Sequence, residues 1–320
     1  MTSFRASDAT TSGKTQILCV GEALIDLLAT PADSWEAIGQ FTPRIGGAPA
    51  NASVAIQRLG GSAAFLGCIA NDDPGIWIRE RLDAENVDMS RAISVSRAQT
   101  RLALVTGPSD NRDFVFYGHP AAETVLSPEN IEQIELDRAA AIMVGSLLLL
   151  SEPSCSAMFR LLDLARQRKI PIIFDPNPRV KSWPDPDQAR ELLLPFIRSA
   201  RLLKLGMDEP AVLGMSPDEI RSQQPDGSVF VLTDGANGCW YWYGEVDSRR
   251  IPAPQVQSVD STGAGDCFTA ALTLRAVEKG WRIGDEDVHF ASVAGALATT
   301  TYGAMDAIPH RWQVEEMMKE

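Results

Sequence analysis

Residues 259–268, VDSTGAGDCF, place two glycines, an alanine and an aspartate directly before an apolar, helix-like run. Gly263 and Gly265 have no Cβ, so consecutive backbone N–H groups could approach the oxygen atoms of a phosphate group. A helix that starts near Gly265 would add unpaired N–H groups and the positive end of its dipole. Asp266, in the first turn, could accept a proton from an attacking hydroxyl. By itself, the stretch fits equally well a plain turn in which Asp266 favours the helix N-terminus.

Two stretches near the start of the chain also carry polar residues among apolar ones. In IGGAPANASVAIQRLG, residues 45–60, a glycine pair allows a sharp turn into a helix, and Asn51 lies near the helix start. Its side chain can both donate and accept hydrogen bonds. In GEALIDL, residues 21–27, Asp26 lies in an apolar strand, where a carboxylate needs a partner or a ligand. A helix-start asparagine and a surface-facing strand aspartate are the simpler alternatives.

Alternating strands and helices must hold these residues in place. Apolar strands are predicted at 16–20, 140–145, 170–174, 201–206, 229–233 and 239–243. Helices are predicted at 49–59, 155–169, 265–279 and 286–301. Strands that alternate with helices of this length indicate βαβ units and a mostly parallel sheet with helices on both faces. The predicted fold class is therefore α/β.

The rest of the chain predicts a lid and a leader. Two β-rich segments, about 28–44 and 99–120, are expected to form a small lid, and the second reads as an antiparallel hairpin around GPSDN. Residues 16–320 are predicted to form a single domain. Residues 1–15 are polar, Ser/Thr-rich and without the apolar core of a signal peptide, which predicts a disordered leader.

The composition excludes several classes of protein. A formal net charge of -13 argues against general affinity for nucleic acid or an anionic membrane. No apolar run is long enough to span a bilayer. The five cysteines form no CxxC pair, which is typical of a reducing, cytoplasmic setting. No early strand leads into GxGxxG, so a dinucleotide-binding oxidoreductase is not supported.

The three stretches, found in this order, resemble the PfkB, or ribokinase-like, family of carbohydrate kinases, from about residue 16 to 310. DSTGAGD matches the C-terminal signature of that family and GGAPANASVAIQRLG the N-terminal one. GCIANDDPG is similar to its GxxGxDxxG loop, with Ala70 in place of one glycine, and VLTDGANGCWYW is similar to its TxGxxG stretch. Within the family, GEALIDL, GSLLLLSEP and FDPNPRVKSWPD resemble the fructokinases most.

The resemblance implies a ribokinase-like, three-layer α/β/α core with a β lid that closes over a sugar. It implies transfer of the ATP γ-phosphoryl group, with Mg²⁺, to a primary hydroxyl, with fructose as the expected acceptor. Asp266 would be the general base. The anion hole would be formed by the amides of Gly263, Ala264, Gly265 and Asp266. Asp26, Gly47, Asn51 and Arg101 would bind the sugar. ATP would contact Lys204, Thr233, Gly235, Gly238, Gly263 and Gly265.

The metal sites follow the family pattern with one departure. The family often has an NxxE motif near Mg²⁺, but here KLGMDE has Gly206 where Asn is usual and retains Glu209. Asp175 is expected to share the magnesium role, and Arg179 either approaches the phosphates or belongs to a strand-end turn. The resemblance also implies a possible K⁺ site at Asp260, Thr262, Ala298, Thr301 and Gly303.

Several alternatives remain open from the sequence. The late signature is shared by 2-keto-3-deoxygluconate kinase, ribokinase and nucleoside kinase, so only lid and sugar-side residues discriminate among them. A non-catalytic relative that binds a sugar or nucleotide is the second class, and loss of the base would favour it. The expected partners are a small sugar and, through the lid, a second copy of the chain.

Overall fold

The computed structural model describes residues 15–30, 35–106, 113–178, 183, 185–244 and 248–319. Most of the predicted leader, the GPSDN turn and Arg179 lie outside these residues. No helix within them is long and apolar enough to cross a membrane.

Fourteen strands are present in the part of the chain that the structure describes. In chain order they are β1 (Gln16–Val20), β2 (Leu24–Ala29), β3 (Phe41–Gly46), β4 (Ala63–Leu66), β5 (Cys68–Ala70), β6 (Ile93–Val95), β7 (Leu102–Thr106), β8 (Asp113–Tyr117), β9 (Ala139–Val144), β10 (Ile172–Phe174), β11 (Ala200–Gly206), β12 (Val229–Thr233), β13 (Cys239–Tyr243) and β14 (Arg249–Ile251). The predicted strand positions are confirmed to within a few residues.

Ten α-helices accompany them in the same described ranges. They are α1 (Ala48–Arg58), α2 (Asp73–Ala84), α3 (Pro128–Glu132), α4 (Ser154–Gln167), α5 (Pro186–Ile197), α6 (Pro210–Leu213), α7 (Pro217–Arg221), α8 (Ala264–Glu278), α9 (Asp285–Leu297) and α10 (Arg311–Met317). The helix predicted at 286–301 is therefore shorter. Beyond its end, the carbonyl of Thr299 accepts the N–H groups of Val259 and Asp260, which ties this segment to the loop before α8.

The main sheet has eight strands in the order β14-β13-β12-β11-β10-β9-β1-β4. The six neighbouring strands β4, β1, β9, β10, β11 and β12 pair in parallel. Strands β13 and β14 extend the sheet with antiparallel pairing. Alternate side chains of β1 enter two different cores. Ile17 and Cys19 join α1 and α8, whereas Leu18 and Val20 join α4 and α5. A sheet buried on both faces requires helices on both faces, so the predicted three-layer α/β architecture is confirmed.

A second sheet of four strands has the order β3-β2-β7-β8. Strands β7 and β8 are antiparallel, with Leu102 opposite Tyr117, as the hairpin prediction required. The sheet starts earlier than the predicted lid segment, because β2 already begins at Leu24. Asp26 therefore belongs to this sheet and lies opposite Arg44 of β3.

Candidate active site

A cavity of about 340 Å³ opens at the carboxyl ends of the parallel strands, where α/β folds commonly bind ligands. Loop residues that follow the strands line one side of it, among them Gly145 after β9 and Asp175 after β10. The first residues of α1 and α8 line another side. Asp26 and Phe116 of the second sheet complete the wall, so the second sheet contributes directly to the cleft.

The predicted base is held in place by a residue from the far end of the chain. Asp266 is the third residue of α8, and its carboxylate Oδ2 accepts a hydrogen bond from Asn51 Nδ2 at 2.8 Å. Only 8% of Asp266 is exposed. The Asn51 amide fixes the orientation of a carboxylate that still borders the cavity. This geometry suits a group that must accept a proton from a bound hydroxyl.

The glycines before Asp266 shape the helix start. Gly263 has a φ of +80°, and a Cβ there would lie 2.7 Å from the Cβ of Ala304, so both conformation and space require glycine. Gly263 and Gly265 line the cavity. The N–H group of Ala264 was expected to belong to the anion hole. In the structure this N–H donates to the Ser261 carbonyl at 3.2 Å. The residue before α8 is Gly263, which has no side chain to cap the helix, and Gly265 in the first turn borders the cavity.

The predicted sugar-side residues meet on the opposite wall. Asp26, Gly47 and Asn51 all line the cavity. Gly46 leaves room for the Asp26 carboxylate, since a Cβ on Gly46 would lie 2.1 Å from Asp26 Oδ2. Asp26 and Asn51 are buried, so both polar side chains are positioned by the protein rather than by solvent.

Arg101 was expected to bind the sugar; in the structure it pairs with Glu123 next to a residue of the cavity wall. Its guanidinium forms an ion pair with the buried carboxylate of Glu123 and lies 5.2 Å from the ring centre of Phe116. Phe116 lines the cavity, whereas Arg101 does not. Arg101 therefore supports a cavity-lining residue.

A buried ion pair lies beneath the start of α8. Lys204 Nζ is 3.1 Å from Asp175 Oδ1, and Thr269 Oγ1 donates to Asp175 Oδ2 at 2.6 Å. Burial by itself would lower the pKa of Lys204, but the carboxylates of Asp175 and Glu209 outweigh it and raise that pKa. A Cβ on Gly265 would lie 3.3 Å from Nζ. The ammonium is therefore charged and adjacent to the predicted anion hole.

Glu209 is a buried carboxyl group close to Lys204 and Asp175. Its Oε2 is buried and has no hydrogen-bond partner among the described residues. Burial raises the pKa of Glu209, and Lys204 partly offsets that rise. Asp175 lines the cavity with both oxygens accepting hydrogen bonds, whereas Glu209 is not among the residues that line it. The described residues contain no group of three or more His, Cys, Asp or Glu that could hold a metal by itself.

The predicted nucleotide residues of the TxGxxG stretch lie outside this cavity. Thr233 ends β12, and its hydroxyl donates to the Leu205 carbonyl at 3.2 Å. Gly235 and Gly238 flank the turn after β12 with φ values of +50° and +94°. Only Lys204, Gly263 and Gly265 of the predicted ATP set reach the cavity.

Hydrogen bonds connect three of the five residues predicted to bind K⁺, namely Asp260, Thr262 and Gly303. Asp260 Oδ1 accepts the N–H and the hydroxyl of Thr262, and its Oδ2 accepts the N–H of Gly303. Ala298 lies at the end of α9, and Thr301 lines a separate cavity near the C-terminal end of the chain. Asp260 thereby links the loop before α8 to the turn at Gly303.

Glu22 is the cleft residue that sequence reasoning missed. It follows β1, lines the cavity and is only 7% exposed. Burial raises the pKa of Glu22 to about 8, and Glu123 and Asp266 add to that rise. Its only signal in the sequence was a second acidic residue four positions before Asp26 in an otherwise apolar stretch.

The start of α8, the buried carboxylate of Asp266 and residues of the second sheet meet at one cavity of an α/β fold. A comparison with protein families matches residues 14–311 to the pfkB family carbohydrate kinases. The chain belongs to this family, and it is a carbohydrate kinase.

Similar proteins cover almost the whole chain. Fructokinase-1 of Zea mays is 33% identical over 97% of this chain and 99% of its own length. Fructokinase-2 of Zea mays is 35% identical over 92% of this chain and 91% of its own length. Among solved structures, the fructokinase of Xylella fastidiosa with bound ATP has a TM-score of 0.85 at 27% identity, covering 96% and 98% of the two chains. Fructokinase of Vibrio cholerae in a fructose, ADP and calcium ion bound form has a TM-score of 0.81 at 26% identity, covering 95% and 99%. The ribokinase-like fold is therefore confirmed.

Proposed function

We propose that this kinase transfers the γ-phosphoryl group of ATP to a primary hydroxyl of fructose and forms fructose 6-phosphate. The observation that carries the proposal is that Asp266, which Asn51 holds by a hydrogen bond, lines the same cavity as Asp26 and Gly263. The fructokinase names of the similar proteins support fructose as the acceptor.

Each part of the cavity has a role in this reaction. Asp266 accepts the proton of the attacking hydroxyl, a contribution of about 10²–10⁴-fold to the rate. The backbone around Gly263 and Gly265, with the Lys204 ammonium, stabilises the charge on the transferring group. Asp26, Gly47 and Asn51 orient the sugar. The second sheet (β3, β2, β7 and β8), here called the lid sheet, excludes water that would otherwise hydrolyse ATP.

Mg²⁺ and K⁺ complete the proposal. Bound Mg²⁺ would neutralise phosphate charge, and Glu209 Oε2, which has no hydrogen-bond partner among the described residues, would orient it through water. K⁺ would lie at the carbonyl groups near Gly303 and support the Asp260 linkage behind the anion hole.

Specificity is tested by ADP release with fructose, ribose, 2-keto-3-deoxygluconate, tagatose 6-phosphate and adenosine as acceptors. Fructose should give the highest kcat/KM. A higher value for another acceptor would refute the fructose assignment and leave carbohydrate kinase activity intact.

We also infer a cytoplasmic, dimeric protein. All five cysteines are free and buried, which fits a reducing compartment.

The dimer contact is proposed at the edge of the lid sheet. The lid sheet ends in β3 and β8, and β8 exposes Val115 and Tyr117, so the lid sheet of a second copy of the chain could pair there. Light scattering of the purified protein measures the assembly, and a monomer mass at micromolar concentration would refute it.

A further inference from the structure

Helix α1 begins without a capping side chain of its own. The residue before it is Gly47, which has no side chain to accept a helix N–H group. The N–H of Ala48, first in the helix, therefore needs an acceptor from elsewhere. Glu22 supplies it, since Ala48 N–H donates to Glu22 Oε1 at 3.1 Å.

The main chain of Glu22 fits the same helix start. Gly47 has a φ of +102°, and a Cβ there would lie 2.6 Å from the carbonyl oxygen of Glu22. Both the side chain and the backbone of Glu22 thus contact the turn that leads into α1. Glu22 therefore holds the first residues of α1, while the buried side chains of the helix pack in the core shared with β1 and α8.

The first turn of α1 carries the residue that orients the base. Asn51 N–H donates to the Gly47 carbonyl at 2.9 Å, so Asn51 follows any shift of the helix start. Its side chain donates to Asp266 Oδ2 at 2.8 Å. A displaced helix start would move the Asn51 amide away from Asp266.

The charges around Glu22 favour its neutral form. Glu22 faces Glu123 and Asp266, and Asp26 lines the same cavity. Two cations of this region are already paired, Lys204 of the same cavity with Asp175 and Arg101 with Glu123. Burial, with the carboxylates of Glu123 and Asp266, raises the pKa of Glu22 to about 8 despite its hydrogen bonds to backbone N–H groups. Below that pH, Glu22 caps α1 without adding a negative charge to a cleft that must receive ATP.

We propose that Glu22 is a positioning residue for phosphoryl transfer, which holds the start of α1 and thereby keeps Asn51 aligned with Asp266. The inference rests on the proposed role of Asp266 as the base. Ionised Glu22 opposes the reaction, because its charge lies close to the base and to the incoming phosphates.

The test compares steady-state kinetics of Glu22→Ala and Glu22→Gln with fructose and ATP. Glu22→Ala should lower kcat by about 10–100-fold, the scale of a misplaced catalytic group, and leave KM for ATP unchanged. Glu22→Gln should restore most of kcat, because its amide oxygen can accept the Ala48 N–H. Glu129→Gln, which removes an exposed carboxylate outside the cleft, is the control.

The pH profile separates this role from a purely structural one. Wild-type kcat should fall as pH rises through about 8, and Glu22→Gln should lack that decline. If Glu22→Ala does not fold, Glu22→Asp replaces it, since its shorter side chain cannot reach Ala48. A kcat near wild type in the shortened variant, no rescue by Gln, or an unchanged alkaline decline overturns the proposal. Normal turnover of Asp266→Asn would instead overturn the base assignment.

Discussion

Replacing Lys204 with Met should destabilise the protein severely. The substitution keeps the length of the side chain but removes the ammonium that lies 3.1 Å from Asp175 Oδ1, and both side chains are only 7% exposed. Breaking a buried ion pair by removing one partner costs about 3–5 kcal/mol, since the other charge stays buried. That is a large fraction of a typical unfolding free energy of about 5–15 kcal/mol. In domains of about 150–250 residues, such a loss lowers Tm by roughly 6–20 °C.

A second substitution tests whether the buried charge causes the loss. Asp175→Asn in the Lys204→Met background removes the uncompensated charge and keeps an oxygen for the Thr269 hydroxyl. Most of the lost stability should return, and urea unfolding of both single variants and the double variant gives the coupling free energy. Activity should not return, because the cleft still lacks its cation.

An exposed ion pair provides the matched control. Arg168 lies 3.5 Å from Asp137, and both side chains are exposed, so Arg168→Met should change the unfolding free energy by about 0–1 kcal/mol. If Lys204→Met loses no more than Arg168→Met, or Asp175→Asn restores nothing, the reasoning about the buried pair is wrong.

Three further predictions concern the cleft. Gly47→Ala should lower the unfolding free energy by about 1–3 kcal/mol and raise KM for the sugar, because Gly47 has a φ of +102° and contacts Glu22. Gly39→Ala is the control and should change neither quantity, because no atom lies within 4 Å of the added Cβ. The pKa of Glu22 rises on folding from 4.5 to about 8, so the folded state keeps a proton that the unfolded state has lost. The unfolding free energy should therefore fall by up to about 1.4 kcal/mol per pH unit across that interval, and urea unfolding of Glu22→Gln should lack this slope. Replacing K⁺ with tetramethylammonium should lower kcat several-fold, and equal rates in both salts would contradict the cation site.

The sequence predicted the elements well because hydrophobic periodicity is a local property. The strand at 16–20 and the start of α8 lie within a residue of the predicted positions. Asp266, Asn51 and Asp26 stood out because polar residues in glycine-rich or apolar surroundings are unusual, and all three line one cavity, while their roles stay predictions.

The pairings between side chains could not be predicted in the same way. Arg101 was expected to contact the sugar, but in the structure it pairs with Glu123. This pairing depends on packing between segments 22 residues apart in the sequence. Glu22 contacts α1 only because Gly47 allows the chain to approach it closely. Such contacts depend on three-dimensional packing, for which composition and spacing carry no signal.

The central claim is that Asp266 is the general base of a sugar kinase. The most direct measurement is kcat of Asp266→Asn with fructose, together with its dissociation constant for ATP by calorimetry. We predict that kcat falls by about 10²-fold or more while ATP binding is retained, as expected for loss of a general base. A kcat close to that of the wild type would contradict the claim.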